Sequence, residues 1–297
     1  MSTEIRIDAL LPAEMATRAE YVGVRKAETP VIKMFALAVL AGAFIALGAI
    51  FATTIASGGM AVKAADGSLA YTSGLPYGVT RLLTGFVFCL GLILVVVGGA
   101  ELFTGNNLIV MAWASRKVTT AALLKNWSIV YIGNFVGSVG TAIVLFLSKQ
   151  FTFGSGSIGL TALNIAKSKV ELDFVQALAL GILCNALVCL AVWMTFSARS
   201  TLDKIAAIIF PITGFVAAGF EHSIANMYFI PIGIFIKQFA KQDFWDLIGK
   251  TPADYGSLTW SAFFLNNLVP VTIGNIIGGV FLVAAIYWMI FLRPSER

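Results

Sequence analysis

The chain has 297 residues, of which 59% are apolar and only 12% charged, and it carries a formal net charge of +5. Soluble domains hold about 25% charged residues, so a chain with half that share cannot cover a globular surface with polar groups. Composition excludes a disordered chain, a collagen-like chain and an ordinary cytosolic enzyme, and leaves a polytopic membrane protein.

In chain order, residues 1–30 are polar and mixed in charge. They lack the basic-then-apolar layout of a cleaved signal peptide, and the amphipathic stretch 5–22 predicts an interfacial helix before the first span. A helix needs about 20 apolar residues to cross about 30 Å of hydrocarbon. Six blocks qualify: residues 33–56, 79–113, 120–148, 174–196, 205–240 and 258–292. The organisation expected is an N-terminal segment 1–30, two three-span halves at 31–150 and 151–292, and a tail at 293–297. Six is even, so both termini lie on one side. Twelve of the 20 Lys and Arg residues fall on that side, in the termini and the second and fourth loops, which places both termini in the cytoplasm. The basic residues stand singly between apolar blocks, which suits lipid headgroups and argues against nucleic acid.

The second and fifth blocks would each exceed about 50 Å as straight helices. Midway they carry Gly98-Gly99-Ala100-Glu101-Leu102-Phe103-Thr104-Gly105-Asn106-Asn107 and Gly219-Phe220-Glu221-His222-Ser223-Ile224-Ala225-Asn226, the latter followed by Pro231. Interrupted hydrophobic segments in corresponding positions point to broken helices around a substrate path. The halves also match internally. Asn126, Gly133, Asn134 and Gly137 repeat as Asn267, Gly274, Asn275 and Gly278; Gly99, Glu101 and Asn106 repeat as Gly219, Glu221 and Asn226; Phe35, Ala38 and Gly42 align with Phe174, Ala177 and Gly181. Each half has three spans, so the second enters from the opposite side. The fold class expected is therefore an all-α membrane protein built as an inverted 3+3 repeat, with its site near the midplane.

Only Glu101 and Glu221, of 15 acidic residues, lie well inside spans, and the sole histidine, His222, adjoins one of them. An ionisable group in hydrocarbon costs at least about 2.5–3.5 kcal/mol. The two glutamates read as structural, accepting backbone N–H groups freed where the helices unwind. His222 reads as functional, since a neutral imidazole both donates and accepts and titrates near neutrality; a histidine merely satisfied by its neighbours is the other reading. Phe88, Phe103, Phe215 and Leu92 flank the breaks, where apolar rings exclude hydrated ions. Cys89, Cys184 and Cys189 have no metal-site spacing, and one histidine cannot supply a Cys/His set, so no metal or cofactor is expected.

The stretches Leu10-Leu11-Pro12, Glu101-Leu102-Phe103-Thr104, Lys125-Asn126-Trp127, Gly133-Asn134, Asn185, Cys189-Leu190-Ala191-Val192-Trp193-Met194, Gly219 to Met227 and Asn267 to Gly279 resemble the formate/nitrite transporter family, most nearly its bacterial formate channels. The resemblance implies an aquaporin-like protomer of six helices, a homopentamer with one pore in each protomer, and a place in the bacterial inner membrane. It implies passage of formate, with nitrite, hydrosulfide, acetate and lactate as relatives' substrates. Matched by motif, Thr104 falls opposite His222, Leu92 and Phe103 on a cytoplasmic constriction, and Phe88 and Phe215 on a periplasmic one. Lys169 matches a basic residue behind the periplasmic side of the pore, with Asn185 and Asn226 as polar partners. Three departures stand out: Glu101 where formate channels often have Asp, Gly105-Asn106-Asn107 as a more polar and flexible stretch after the threonine, and a long insertion at residues 58–77.

The mechanism expected has Lys169 favouring an anion at the vestibule and His222, bonded towards Thr104 or Asn226, hydrogen-bonding or protonating it, so that a weak acid crosses with its proton. A nitrite or hydrosulfide channel of the same family is the alternative. A membrane-embedded enzyme using His222, Glu221 and Ser223 is disfavoured because adjacent residues rarely aim at one point, and a water or glycerol pore because Asn-Pro-Ala motifs are missing.

Overall fold

The computed structural model describes residues 9–58, 61–63, 69–71 and 75–294. The start of the expected interfacial helix (5–8), half of the 58–77 insertion and the last three residues of the tail lie outside the described residues.

Helix α1 (Pro12–Ala27) begins later than the amphipathic pattern suggests and runs further. Pro12 fixes its start, since proline suits the first helical position and no interior one. The Leu11 N–H donates to Glu14 Oε2 at 2.9 Å, and Arg25 and Lys26 sit in the last turn, where the helix dipole favours cations. The helix packs inward: Met15, Ala16, Ala19 and Gly23 are buried against the segment around Leu108–Ala112.

The first span is α2 (Val31–Ser57), after which the insertion forms an antiparallel pair, β1 (Ala61–Lys63) and β2 (Leu69–Tyr71). The second block divides into α3 (Tyr77–Gly98), a 3-10 turn at Gly105–Ile109 and the short α4 (Val110–Ala114). Then come α5 (Thr120–Leu147), α6 (Ser157–Val170) and α7 (Phe174–Thr195). The fifth block divides into α8 (Thr201–Ala218) and α9 (Ser223–Phe239), followed by the short α10 (Gln242–Ile248). The last span comprises α11 (Trp260–Ala262), α12 (Val269–Gly279) and α13 (Ile286–Phe291), joined by π-helical turns at Phe263–Leu268 and Val280–Ala285. Among the described residues six helices are long and apolar enough to cross a membrane.

Both α3 and α8 end on a glycine in the left-handed region, Gly99 at φ 74° and Gly219 at φ 78°. That conformation caps a helix at little cost only without a Cβ. Lipid gives no hydrophobic drive for one helix to meet another, so association depends on close packing of small residues. A methyl at Gly137 would overlap the Val39 carbonyl, and one at Gly278 the Ile182 carbonyl; α5 thus rides on α2, and α12 on α7.

These contacts correct one register. The small-residue pattern aligns Ala38 with Ala177 and Gly42 with Gly181, but corresponding contacts fall on Val39 and Ile182, a spacing four residues longer. Four residues are about one helical turn, so a pattern of small residues on one face reads almost equally well in either register.

Candidate functional site

The site grows from the two interruptions. Unwinding a helix frees backbone N–H and C=O groups that a membrane interior cannot hydrate. At the first interruption Glu101 N–H donates to the Leu37 carbonyl at 3.2 Å and Phe103 N–H to Asn134 Oδ1 at 2.9 Å. Asn134 Nδ2 donates to the Ala38 and Glu101 carbonyls at 2.7 and 2.9 Å. At the second, Glu221 N–H donates to the Leu180 carbonyl at 3.3 Å and Ser223 N–H to Asn275 Oδ1 at 2.9 Å. Asn275 Nδ2 donates to the Gly181 and Glu221 carbonyls at 2.8 and 2.9 Å. Asparagines therefore do what the glutamate side chains were expected to do. An amide can donate and accept at once, whereas a carboxylate only accepts and cannot satisfy a freed carbonyl.

The glutamates instead anchor two matching clusters. Glu101 Oε2 pairs with Lys26 Nζ at 2.9 Å and accepts from Asn106 Nδ2 at 2.7 Å. Asn106 Nδ2 also donates to Asn126 Oδ1, and Asn126 Nδ2 to the Lys26 carbonyl. Glu221 Oε1 pairs with Lys169 Nζ at 2.6 Å, and Oε2 accepts from Asn226 Nδ2 at 2.6 Å. Asn226 Nδ2 also donates to Asn267 Oδ1, and Asn267 Nδ2 to the Lys169 carbonyl. Lys26 is the residue that sequence reading missed, counted there only for orientation. The signal was present: Lys26 to Lys169 has the same spacing as Leu37 to Leu180. In the second cluster Asn226 Oδ1 is a buried acceptor without a partner among the described residues.

Two cavities approach each other from opposite ends of α3. One, of about 460 Å³, is walled by Phe88, Lys169, Phe215, Glu221, His222 and Asn226 among others. The other, of about 300 Å³, is walled by Lys26, Leu92, Glu101, Leu102, Asn106 and Val192 among others. Phe88 and Leu92 are one turn apart on α3, so the partition there is about 6 Å thick. In this region Thr104 Oγ1 meets His222 Nε2 at 3.1 Å, with Thr104 fully buried and His222 3% exposed.

His222 is the N-cap of α9, its Nδ1 accepting from the Ala225 N–H at 3.1 Å. A backbone N–H can only donate, so the neutral ring carries its proton on Nε2 and offers it to the Thr104 hydroxyl. The ring stacks on Phe215 with centroids 5.9 Å apart, and Phe215 meets Phe88 edge to face at 5.7 Å. Thr104 is held in turn from α7: its carbonyl accepts from Asn185 Nδ2 and Cys189 Sγ, each at 3.3 Å.

His222, Thr104, Phe88, Phe215 and Leu92 thus gather at the partition, and Lys169 and Asn226 one step out from it. Asn185 supports Thr104 from behind, off both cavity walls. Phe103 also stands elsewhere. Its N–H is tied to Asn134, and its ring packs on Trp127 and Tyr131 with centroids at 5.9 and 4.9 Å, facing an apolar groove between α5 and the last span. Leu102 takes the cavity wall in its place.

The family model for formate/nitrite transporters matches residues 13–289. The chain is 45% identical over 297 residues to the formate channel FocA of Escherichia coli (strain K12), covering 100% of both chains. It is 41% identical over 271 residues to the formate channel FocA of Haemophilus influenzae, covering 91% of each. Among solved structures, a pentameric formate channel with formate bound superposes with a TM-score of 0.80 at 45% identity, covering 89% of this chain and 98% of that one. An ion channel of the FNT family gives a TM-score of 0.76 at 25% identity, covering 95% and 99%. These relatives are channels and transporters, not enzymes, and this chain belongs to the formate/nitrite transporter family.

Proposed function

We propose that the protein passes formate across the bacterial inner membrane as a homopentamer with one path in each protomer. The path runs from one cavity to the other past Thr104 and His222. The observation that carries this reading is the 3.1 Å contact between Thr104 Oγ1 and His222 Nε2, buried at a partition one helical turn thick between two cavities. Formate is favoured over nitrite and hydrosulfide because two FocA relatives and a structural neighbour are formate channels.

The partition is apolar on most sides. Burying a bare carboxylate costs far more than burying a neutral acid, whose hydroxyl and carbonyl need only ordinary partners. Transfer is therefore easiest for formic acid, or for a formate ion that meets strong donors. Thr104 supplies one: having accepted from His222 Nε2–H, its hydroxyl is free to turn its own proton towards a substrate oxygen, and the chain of two bonds polarises it further. Of the two roles expected for His222, the bonding pattern favours donation. Making an imidazolium requires a proton on Nδ1, which is the atom that caps α9. The proton then arrives with the acid, and lower pH on one side drives entry from that side.

The same reading takes the chain as an inverted 3+3 repeat with its second and fifth spans broken. It is supported by the two matching sets of bonds around Asn134 and Asn275, by the paired Lys–Glu–Asn clusters, and by the left-handed glycines that end α3 and α8. Cytoplasmic termini follow from the distribution of Lys and Arg.

His222→Asn tests the role of the ring. Asparagine retains an N-cap acceptor and removes Nε2–H, so the pentamer persists while formate flux falls about tenfold, the equivalent of one hydrogen bond. Parental flux through a folded His222→Asn protein would remove His222 from the mechanism.

A further inference from the structure

The cavity walled by His222 and Lys169 holds a second cation with no assigned role. Lys169 is closed into an ion pair with Glu221 and adds no net charge. Arg81, near the start of α3, lines the same cavity. Its Nε donates to the Ala217 carbonyl at 3.1 Å and its Nη2 to the Val216 carbonyl. Among the described residues no carboxylate pairs with it. A guanidinium is always charged and carries five N–H donors, so several remain for another acceptor.

The two carbonyls belong to the last turn of α8, where the helix dipole places negative partial charge. Left uncovered, that end would face any anion entering the cavity, whose wall includes Val216, Ala218 and Gly219. The opposite cavity has a counterpart. Lys204, near the start of α8, stands on its wall with Val95, Val96 and Gly99 from the last turn of α3. Each cavity thus has on its wall a cation from the start of one helix together with residues from the last turn of the other.

We propose that Arg81 is the anion-receiving residue of its cavity. It covers the negative end of α8 and offers its remaining N–H groups to the carboxylate of an entering formate, a planar pairing that suits guanidinium. This rests on the reading that the cavity is the path of a small anion. Arg81 acts on entry, whereas the Thr104–His222 pair acts on crossing, so Arg81 sets the concentration at which flux saturates and the sensitivity of that concentration to salt.

The test measures initial rates of labelled formate flux for the parent, Arg81→Gln and Arg81→Lys in vesicles of one insertion orientation, with formate supplied from either side over a range of concentration and ionic strength. Arg81→Gln raises the half-saturation concentration about tenfold for formate supplied from the Arg81 side, as loss of a charge-assisted bond would, and flattens its dependence on salt; the change from the other side is smaller. Arg81→Lys recovers most of the loss, because it keeps the charge, although an ammonium lacks the planar fork of donors that pairs with a carboxylate. A parental half-saturation in Arg81→Gln, or an Arg81→Lys pentamer as impaired as Arg81→Gln, overturns the proposal and leaves Arg81 as a helix cap. Should Arg81→Gln fail to assemble, the parent decides: half-saturation from the Arg81 side that ignores ionic strength overturns it. No formate flux in the parent would overturn the reading of the path along with it.

Discussion

Lys169 and Glu221 form an ion pair at 2.6 Å with side chains only 14% and 5% exposed. Removing one member of such a pair leaves a buried charge without compensation and costs about 3–5 kcal/mol, whereas replacing both by neutral groups of similar volume is often nearly neutral. Lys169→Met and Glu221→Gln are therefore each expected to lose about 3–5 kcal/mol, and the double variant to lie within about 2 kcal/mol of the parent. The amide bonds from Asn226 and Asn267 to Glu221 persist in part with Gln, which keeps one acceptor oxygen. The coupling energy read from the cycle is then at least about 4 kcal/mol. The Lys26–Glu101 pair is longer, at 2.9 Å, and its lysine is 27% exposed, so the same cycle with Lys26→Met and Glu101→Gln gives a smaller value, nearer about 1 kcal/mol. Equilibrium unfolding in detergent micelles, followed by circular dichroism, measures both cycles. Additive losses at Lys169 and Glu221 would show that these charges are effectively solvated, and would refute the inference from burial to coupling.

Thr104→Ser keeps the hydroxyl that faces His222 and is expected to retain formate flux, while the isosteric Thr104→Val lowers it about tenfold; stopped-flow uptake in proteoliposomes separates them, and equal flux in both would deny the hydroxyl a role. Gly137→Ala forces α5 away from the Val39 carbonyl and is expected to cost about 3 kcal/mol, whereas Gly140→Ala, with nothing within 4 Å of the added methyl, is neutral or slightly stabilising. Thermal unfolding checks the pair, and equal midpoints would contradict the packing. His222→Phe removes the cap of α9 along with the donor, so it is expected to be less stable than His222→Asn by about 1 kcal/mol, a difference the same melts record.

Much of this architecture is legible in the sequence because lipid imposes simple rules. Six apolar blocks mark the spans, a Gly–Glu motif midway along two of them marks where the backbone leaves its helix, and Asn134 and Asn275 stand out as a matched pair. What those asparagines do was not legible. That Asn134 holds freed backbone groups, while Glu101 is held by Lys26, depends on which side chain reaches which atom across three helices. The register of the first and fourth spans slipped by about one turn, because small residues recur on one helix face at that period. Gly105-Asn106-Asn107 was read as the polar end of the interruption, and the residues beyond it only as the remainder of a long span. Gly105, Asn106 and Asn107 favour local turns over a continued helix, so it becomes a 3-10 turn and α4, onto which α1 packs. The position of Phe103 followed its backbone bond to Asn134, a tertiary constraint with no local signature. The π-helical turn that carries Asn267 into the Glu221 cluster gave no warning in residue type.

The measurement that bears most directly on the proposed function is uptake of labelled formate into proteoliposomes at external pH about 5 and about 7, with internal pH fixed. Each unit of pH changes the fraction of a weak acid carrying its proton about tenfold above its pKa. Passage of the acid past Thr104 and His222 therefore gives uptake well above that of empty liposomes and severalfold faster at the lower pH. Uptake that is absent, or equal at the two pH values, would contradict it.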